Sequence, residues 1–277
     1  MPPAGLAFWR WVVGFLVILV FAWPQLRRDA PALRRGWAVV LLLAALGVAA
    51  FSGLTYLGLQ STSAINALLL QSAMPLVILV CSLALFGDRV RPVQLIAIAI
   101  SLAGVAVIVA RGSFAALLAL SLNPGDGWVF AAVVCYALYS ALLRLRPAIH
   151  PLSFLAASFA LGAALLLPFY IRELLAGAVL RPSLPGLLAI AYLAVFPSCL
   201  AYLFYNRGVE LIGANRAGQF FHLMPVFGTI LAVALLGETI ALPQIVGIGL
   251  IALGIGLASA AGGASPRERE QDGDPAR

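Results

Sequence analysis

Apolar segments of bilayer-spanning length recur along the whole 277-residue chain. Short breaks that carry arginine, glycine or proline separate them, a pattern typical of a helical membrane bundle. Only 10% of the residues are charged and 63% are hydrophobic, which is too apolar for a soluble domain. The sequence therefore predicts an all-α polytopic membrane protein. Nine membrane helices are predicted, at residues 6–25, 37–58, 64–86, 93–110, 127–143, 151–170, 186–205, 214–236 and 241–261.

The seventeen basic residues are all arginines and lie mainly in the breaks between the spans. Because they do not line one polar surface, they predict no nucleic acid partner. Cytoplasmic loops are enriched in basic residues. The richest loops follow the first, third and fifth spans, with Arg27, Arg28, Arg34, Arg35, Arg89, Arg91, Arg144 and Arg146, whereas other loops carry only Arg111, Arg172 and Arg181. We expect a multi-pass protein of a bacterial inner membrane with a cytoplasmic C-terminus and a disordered tail at 263–277.

The sequence also repeats itself, because residues 58–108 match residues 208–258 without a gap at a constant offset of 150. Chance explains matches between alanines or leucines, but not a Met-Pro, a Gly-acid and a Gln shared at a fixed register. The identical pairs are Gly58/Gly208, Ala64/Ala214, Ala67/Ala217, Met74/Met224, Pro75/Pro225, Ala84/Ala234, Leu85/Leu235, Gly87/Gly237, Gln94/Gln244, Ile98/Ile248 and Gly104/Gly254.

The two copies are predicted to face opposite sides of the membrane. The turn 87–91 carries Arg89 and Arg91 and is expected in the cytoplasm, whereas its counterpart 237–241 has no arginine and is expected outside. Inverted repeats are typical of secondary transporters, in which two halves rock about a site near the membrane midplane.

The first half, residues 1–110, is predicted to lack one helix that the second half, residues 111–262, contains. The second half has five spans, and the first of them begins near residue 127. Subtraction of the offset places the counterpart of that span before residue 1. A late start of the chain is favoured over a true nine-helix protein.

Several motifs follow one another in a fixed order. They are Phe8-Trp9-Arg10-Trp11, Met74-Pro75 with Gly87-Asp88, Gly213-Ala214-Asn215-Arg216-Ala217-Gly218, Met224-Pro225, Leu236-Gly237-Glu238 and a glycine-rich closing helix. This order resembles the drug/metabolite transporter superfamily, specifically the EamA-type permeases, over nearly the whole chain. The resemblance implies a ten-helix fold of two inverted five-helix repeats. It also implies the export of small metabolites, often amino acids or related solutes.

Pro75 and Pro225 lie in mid-span at equivalent repeat positions. Each removes the donor to the carbonyl four residues earlier, at Gln71 and Phe221. Either these carbonyls face a cavity in a helix that moves, or neighbouring helices satisfy them in a static bend. The symmetric placement favours a hinge.

Asp88 and Glu238 are repeat-equivalent acids just before the next helix begins. A negative charge complements a helix N-terminus, so we predict that both cap these helices and have structural or gating roles. Close packing inside the bundle is predicted for the small residues of the last span, which are Gly247, Gly249, Gly254 and Gly256.

Asn215, Gln219 and His222 form one polar stripe, at positions i, i+4 and i+7 of a span. Polar groups are costly in lipid, so the stripe is expected to face the bundle interior. Other spans contribute Tyr56, Asn66, Gln71, Tyr136, Ser140 and Tyr202. We predict that these nine residues line a cavity for an amphiphilic substrate. The alternative for each one is a packing contact, worth about 0.6 kcal/mol.

His222 either titrates in proton coupling or is a hydrogen-bonded structural histidine. Arg10 either binds a substrate carboxylate or, as we expect, extends its charge to the membrane interface. The cysteines Cys81, Cys135 and Cys199 lie in apolar spans without metal-ligand spacing. The sequence therefore predicts no disulfide, no metal site and no cofactor.

The predicted function is secondary transport, by alternating access between the inverted repeats, with export of small metabolites such as amino acids. An enzyme is not predicted, because His150 and His222 are not arranged with acids in a catalytic motif. The alternative is a non-enzymatic membrane accessory protein or a lipid-linked substrate translocation subunit. The expected partners are a small-molecule substrate and the lipid bilayer, and the sequence does not fix the oligomeric state.

Overall fold

The computed structural model describes residues 2–88, 90–110, 112, 123–178, 183–236 and 241–260. Within these ranges the chain forms nine helical segments and no β-strand. Eight are long and apolar enough to cross a membrane: α1 Pro3–Arg35, α2 Trp37–Gly58, α3 Ala64–Phe86, α4 Pro92–Val109, α5 Pro124–Leu145, α6 Pro151–Leu175, α7 Leu184–Ile212 and α9 Leu242–Ala260. The other segment, α8, comprises the α-helix Ala214–Gln219, the 3-10 turn Phe220–Leu223 and the α-helix Met224–Leu236.

The nine predicted spans coincide with these helices, which confirms the prediction of an all-α polytopic protein. Prolines occupy the first helical position of α4, α5 and α6, where a helix needs no N–H donor. At the start of α5, Asn123 and Asp126 form a capping box. α3 ends at Gly87, whose φ of 65° lies in the left-handed region that favours glycine.

The internal repeat is visible in the places where the helices are irregular. α2 contains a π-helical turn at Ala45–Ala50, and α7 contains one at Val195–Leu200. These two turns are separated by the same offset of 150. α3 is interrupted before Met74 and α8 before Met224, again at the repeat offset. The repeat thus extends nearer to the N-terminus than the sequence match indicates.

The interruptions of α3 and α8 lie at the predicted prolines, and one backbone carbonyl at each interruption accepts a hydrogen bond. In α8 the Phe221 carbonyl accepts a hydrogen bond from the Met224 N–H, because the tighter 3-10 turn supplies the donor that Pro225 lacks. In α3 the Ser72 carbonyl accepts a hydrogen bond from Nε2 of His222 at 2.8 Å.

A glutamine caps the start of α4, and the predicted capping role of Asp88 stays a prediction. The Arg91 N–H donates to Oε1 of Gln94 at 3.1 Å. At the start of α9 the Ala241 N–H donates to Oε1 of Gln244 at the same distance of 3.1 Å. A long side chain in the first helical turn reaches back to the N-cap N–H, whereas Asp88 precedes the N-cap position of α4.

Some predicted features lie outside the described residues. They are Arg89, Arg111, Arg181, Glu238 and the tail at 263–277. The role of Glu238 and the disorder of the tail therefore stay predictions.

The described residues fall into two compact units. Unit 1 contains residues 1–71 and 122–214, which include α1, α2, the start of α3, α5, α6 and α7. Unit 2 contains residues 72–121 and 215–277, which include the rest of α3, α4, α8 and α9. Each unit has helices from both predicted halves, and repeat-equivalent helices pack together, α1 against α6 and α4 against α9. The division of the sequence into two halves stays a prediction.

α4 and α9 approach each other closely through small residues. A Cβ atom on Gly104 would lie 2.6 Å from the Gly247 carbonyl oxygen, and a Cβ atom on Gly254 would lie 2.6 Å from the Ala97 carbonyl oxygen. The two contacts are equivalent in the repeat, because Ala97 corresponds to Gly247 and Gly104 to Gly254. The predicted packing role is confirmed for Gly247 and Gly254.

Candidate functional site

A cluster of aromatic side chains forms in unit 1. Tyr136 and Tyr139 come from α5, Tyr202 and Tyr205 from α7, and Trp11 from α1. The ring centroid of Tyr136 lies 5.9 Å from that of Tyr202 and 5.5 Å from that of Tyr205. The centroids of Trp11 and Tyr202 are 5.2 Å apart. Aromatic pairs at this spacing stabilise each other beyond the burial of their area, so the cluster links three helices.

The tyrosine hydroxyls of this cluster are hydrogen-bonded to neighbouring helices. Tyr202 donates to the Gly47 carbonyl, which lies in the π-helical turn of α2. Tyr205 donates to Oγ of Ser140 at 2.7 Å, and Ser140 donates to the Tyr136 carbonyl at 2.8 Å. A π-helical turn disrupts the regular hydrogen bonding of a helix, and the Tyr202 hydroxyl provides a donor there.

Arg10 of α1 is also buried in unit 1, with 8% of its surface exposed. Its Nε donates to Oγ of Ser198 at 2.6 Å, Nη1 donates to the Tyr56 hydroxyl at 2.8 Å, and Nη2 donates to the Pro197 carbonyl at 3.2 Å. The guanidinium lies 4.7 Å from the centroid of the Trp11 ring. The expectation that Arg10 extends to the membrane interface is therefore wrong, because α7 offers acceptors that hold the guanidinium inside the unit.

Asn66 belongs to a separate polar cluster in unit 1. Its Nδ2 lies 3.3 Å and 3.2 Å from the two carboxylate oxygens of Asp126. The same carboxylate accepts hydrogen bonds from the Thr62 hydroxyl and, at 2.8 Å, from the Asn123 N–H. The cluster ties the start of α3 to the start of α5. Asn66 thus has a structural partner, and its role in substrate binding stays a prediction.

The predicted polar stripe of α8 lies in unit 2. His222 is fully buried, and Gln219 is 3% exposed. Because Nε2 of His222 donates to Ser72, its Nδ1 is the atom left to accept or to bind a proton. Among the described residues, Nδ1 of His222, Oδ1 of Asn215 and Oε1 of Gln219 have no hydrogen-bond partner. Buried polar atoms are almost always paired, and seven other side-chain atoms of the described residues are unpaired as well, so the role of this stripe in substrate binding stays a prediction.

The nine predicted substrate-binding residues are divided between the two units. Unit 1 contains Tyr56, Asn66, Gln71, Tyr136, Ser140 and Tyr202, and unit 2 contains Asn215, Gln219 and His222. Tyr136, Ser140 and Tyr202 share the aromatic cluster, and Tyr56 contacts Arg10. Gln71 is half-buried and ends the first part of α3.

Sequence reasoning did not include Asn206 and Asp126 among the important polar residues. Asn206 is 3% exposed, and its Oδ1 accepts a hydrogen bond from the Tyr139 hydroxyl at 2.7 Å. An amide one helical turn after Tyr202 was a usable signal for Asn206. The spacing of Asn123 and Asp126, typical of a capping box, was a signal for the acid.

These features define an all-α polytopic membrane protein with repeated helix irregularities and polar groups buried among its helices. A family model described as the EamA-like transporter family matches residues 1–110 and 123–260. The chain therefore belongs to the EamA-like transporter family, which confirms the resemblance seen in its motifs. Members of this family are membrane transporters, and the chain is a multi-pass membrane protein.

Individual proteins support this assignment. "Uncharacterized transporter YyaM" of Bacillus subtilis is 31% identical over 267 residues, which cover 93% of this chain and 84% of that protein. "Uncharacterized inner membrane transporter YedA" of Escherichia coli K12 is 28% identical over 186 residues, which cover 63% of this chain and 55% of that protein. One crystal structure matches with a TM-score of 0.78 and 22% identity, covering 94% of this chain and 88% of the other. That last likeness shows the fold alone.

Proposed function

We propose that this protein is a secondary transporter that exports small metabolites, such as amino acids or related amphiphilic solutes. The proposal is carried by one observation: membrane helices are irregular at repeat-equivalent positions, at 45–50 and 195–200 and before Met74 and Met224. Discontinuous helices in corresponding positions of two halves form the substrate sites of many secondary transporters, because unwound segments expose backbone groups to the solute. Alternating access between the inverted repeats then moves the solute across the membrane.

The chemistry of the buried groups supports an amphiphilic solute. In unit 1, hydroxyl groups such as those of Tyr56 and Ser140 lie near aromatic rings, which suits a molecule with polar and apolar parts. In unit 2, Asn215, Gln219 and His222 carry unpaired polar atoms, which suit a hydrogen-bond donor on the solute. We assign substrate binding to all nine residues predicted from the sequence.

Proton coupling through His222 is part of the proposal. The Nε2–H of His222 donates to the Ser72 carbonyl, and its Nδ1 has no partner among the described residues. The ring can therefore bind a proton at Nδ1 without losing the hydrogen bond at Nε2.

Pro75 and Pro225 are proposed as hinges, and Asp88 and Glu238 as gating residues. Both pairs are repeat-equivalent. The arginine-rich loops further support a location in a bacterial inner membrane with the C-terminus in the cytoplasm.

The proposal is tested by reconstituting the purified chain into liposomes and measuring the uptake of a panel of labelled amino acids, with and without a pH gradient. We expect at least one solute to accumulate above the level of protein-free liposomes, and faster when the gradient is present. His222→Ala should reduce the initial rate to that measured without the gradient, with expression largely unchanged, because the variant has no ring to protonate.

Phe220→Ala is the matched control, since Phe220 belongs to the same 3-10 turn but is 47% exposed. It should retain the wild-type rate. If no solute accumulates under any gradient, the transporter proposal is overturned. If the kinetics of His222→Ala equal those of the wild type, His222 is not part of the site. Export is tested by the loss of the same solute from preloaded cells.

A further inference from the structure

Arg10 is a buried cation without an acidic partner among the described residues. Glu210 pairs with Arg146 and with Arg207, and neither pair includes Arg10. Arg10 is 8% exposed, and all its hydrogen bonds go to neutral acceptors. A buried charge that is not neutralised costs several kcal/mol. Its retention inside unit 1 therefore indicates that an anion completes the site.

Arg10 and Tyr56 retain hydrogen-bond donors that are not used within the described part of the protein. A guanidinium has five N–H bonds, and three of them are used, toward Ser198, Tyr56 and Pro197. Two N–H donors therefore remain. The Tyr56 hydroxyl accepts from Arg10, so its own hydrogen also remains available to donate. Three donors beside one positive charge form a site that suits an anion and repels a cation.

The guanidinium is held in a fixed orientation. Oγ of Ser198 accepts a hydrogen bond from Arg10. The same hydroxyl donates a hydrogen bond to the Leu193 carbonyl at 2.8 Å. The Trp11 ring lies beside the guanidinium, and its Nε1 donates to Oγ of Ser52 at 3.0 Å. Ser198 lies in the π-helical turn of α7, and such turns often occur at functional sites. The remaining donors are thus pre-oriented, which lowers the entropy lost when a ligand binds.

We infer that Arg10 binds the carboxylate of an organic solute, namely the solute that this protein transports. The inference rests on the proposed function for its second part only. A carboxylate matches the planar fork of a guanidinium and accepts two parallel hydrogen bonds. The neighbouring rings of Trp11 and Tyr202 suit the apolar body of such a solute. Inorganic anions share the negative charge but lack that apolar body.

The experiment compares phenylacetate with phenylacetamide, which has nearly the same shape but no charge. Binding of each compound to the full chain, purified in detergent, is measured from the shift in its melting temperature and from tryptophan fluorescence. We expect phenylacetate to bind and phenylacetamide to bind at least about tenfold more weakly, since hydrogen bonds to charged groups are the strong ones. Arg10→Gln should reduce the affinity for phenylacetate to that for the amide, and Arg10→Lys should retain part of it.

Tyr56→Phe provides a second variant that keeps the charge. It should weaken phenylacetate binding about fivefold through the loss of one donor, so the inference can be tested even if Arg10→Gln does not fold. Equal binding of acid and amide, or unchanged affinity in Arg10→Gln and Tyr56→Phe, would overturn the inference. So would competition by chloride or glycerol phosphate that is as effective as competition by phenylacetate, because the site would then bind any anion.

Measurements of solute uptake into liposomes distinguish a failure of this inference from a failure of the proposed function. Uptake of labelled phenylacetate and of neutral solutes is measured in liposomes that carry the wild type or Arg10→Lys. Transport of phenylacetate by Arg10→Lys at the wild-type rate would uphold the transporter and overturn the assignment of Arg10. Arg10-dependent binding without any flux would uphold the carboxylate site and contradict the proposed function.

Discussion

Single side chains compensate for the irregular turns of the helices. The Gly47 carbonyl lies in the π-helical turn of α2 and accepts a hydrogen bond from the Tyr202 hydroxyl. The Pro197 carbonyl lies in the π-helical turn of α7 and accepts a hydrogen bond from Arg10. Gly47 and Pro197 are equivalent in the repeat. Both halves therefore expose the same carbonyl, and a side chain from another helix supplies its donor in each case.

Tyr202→Phe should destabilise the protein. The substitution keeps the ring in the aromatic cluster but leaves the buried Gly47 carbonyl without that donor. An unsatisfied buried acceptor costs about 1–3 kcal/mol. The measurement is the midpoint of thermal unfolding of the purified chain in detergent, which should fall.

Tyr192→Phe is the control for this prediction, because Tyr192 lies in the same helix but is 58% exposed. Its unfolding midpoint should equal that of the wild type. Equal midpoints for Tyr202→Phe and the wild type would show that the hydroxyl contributes nothing to stability.

Whole helices are paired through small residues. α4 and α9 are repeat-equivalent, and they contact each other through Gly104 with Gly247 and through Ala97 with Gly254. By contrast, a Cβ on Gly249 or Gly256 would meet no atom of the described residues within 4 Å. Among the described residues the face of α9 that carries Gly247 and Gly254 requires small residues, whereas the contacts there do not support the predicted packing role for Gly249 and Gly256.

Gly254→Val should weaken the packing of α9 against α4. The added carbons would meet the backbone of Ala97 and the side chain of Ser101, and backbone cannot move aside easily. Overpacking of this kind costs about 1–3 kcal/mol. We expect a lower unfolding midpoint and a lower yield of monodisperse protein in size-exclusion chromatography.

Gly256→Val, in the same helix, serves as the comparison. It adds the same side chain where the described residues leave open space, so yield and midpoint should stay at wild-type values. A similar loss in both variants would mean that general helix propensity, and not contact with α4, explains the effect.

At the scale of the whole molecule, the spans and the repeat could be predicted from the sequence, because hydropathy and a fixed register are properties of the sequence itself. The interruption of α8 could be predicted from Pro225. The π-helical turn of α2 could not, since Ala45–Ala50 contains no proline and its partner Tyr202 is distant in sequence. The burial of Arg10 depends in the same way on Ser198, 188 residues later. Both features depend on hydrogen bonds between residues that are distant in sequence. Local sequence patterns do not predict which distant residues will meet.

The proposed transport mechanism depends on the two halves of the chain having opposite orientations in the membrane. The direct measurement is labelling of single cysteines with a membrane-impermeant maleimide. The native cysteines, Cys81, Cys135 and Cys199, are first replaced by alanine in the full chain, and Asp88→Cys or Glu238→Cys is then introduced. In intact cells we expect labelling of Glu238→Cys alone, with Asp88→Cys labelled only after the membrane is permeabilised. Labelling of both positions from the same side of the membrane would contradict the inverted repeat and the alternating access built on it.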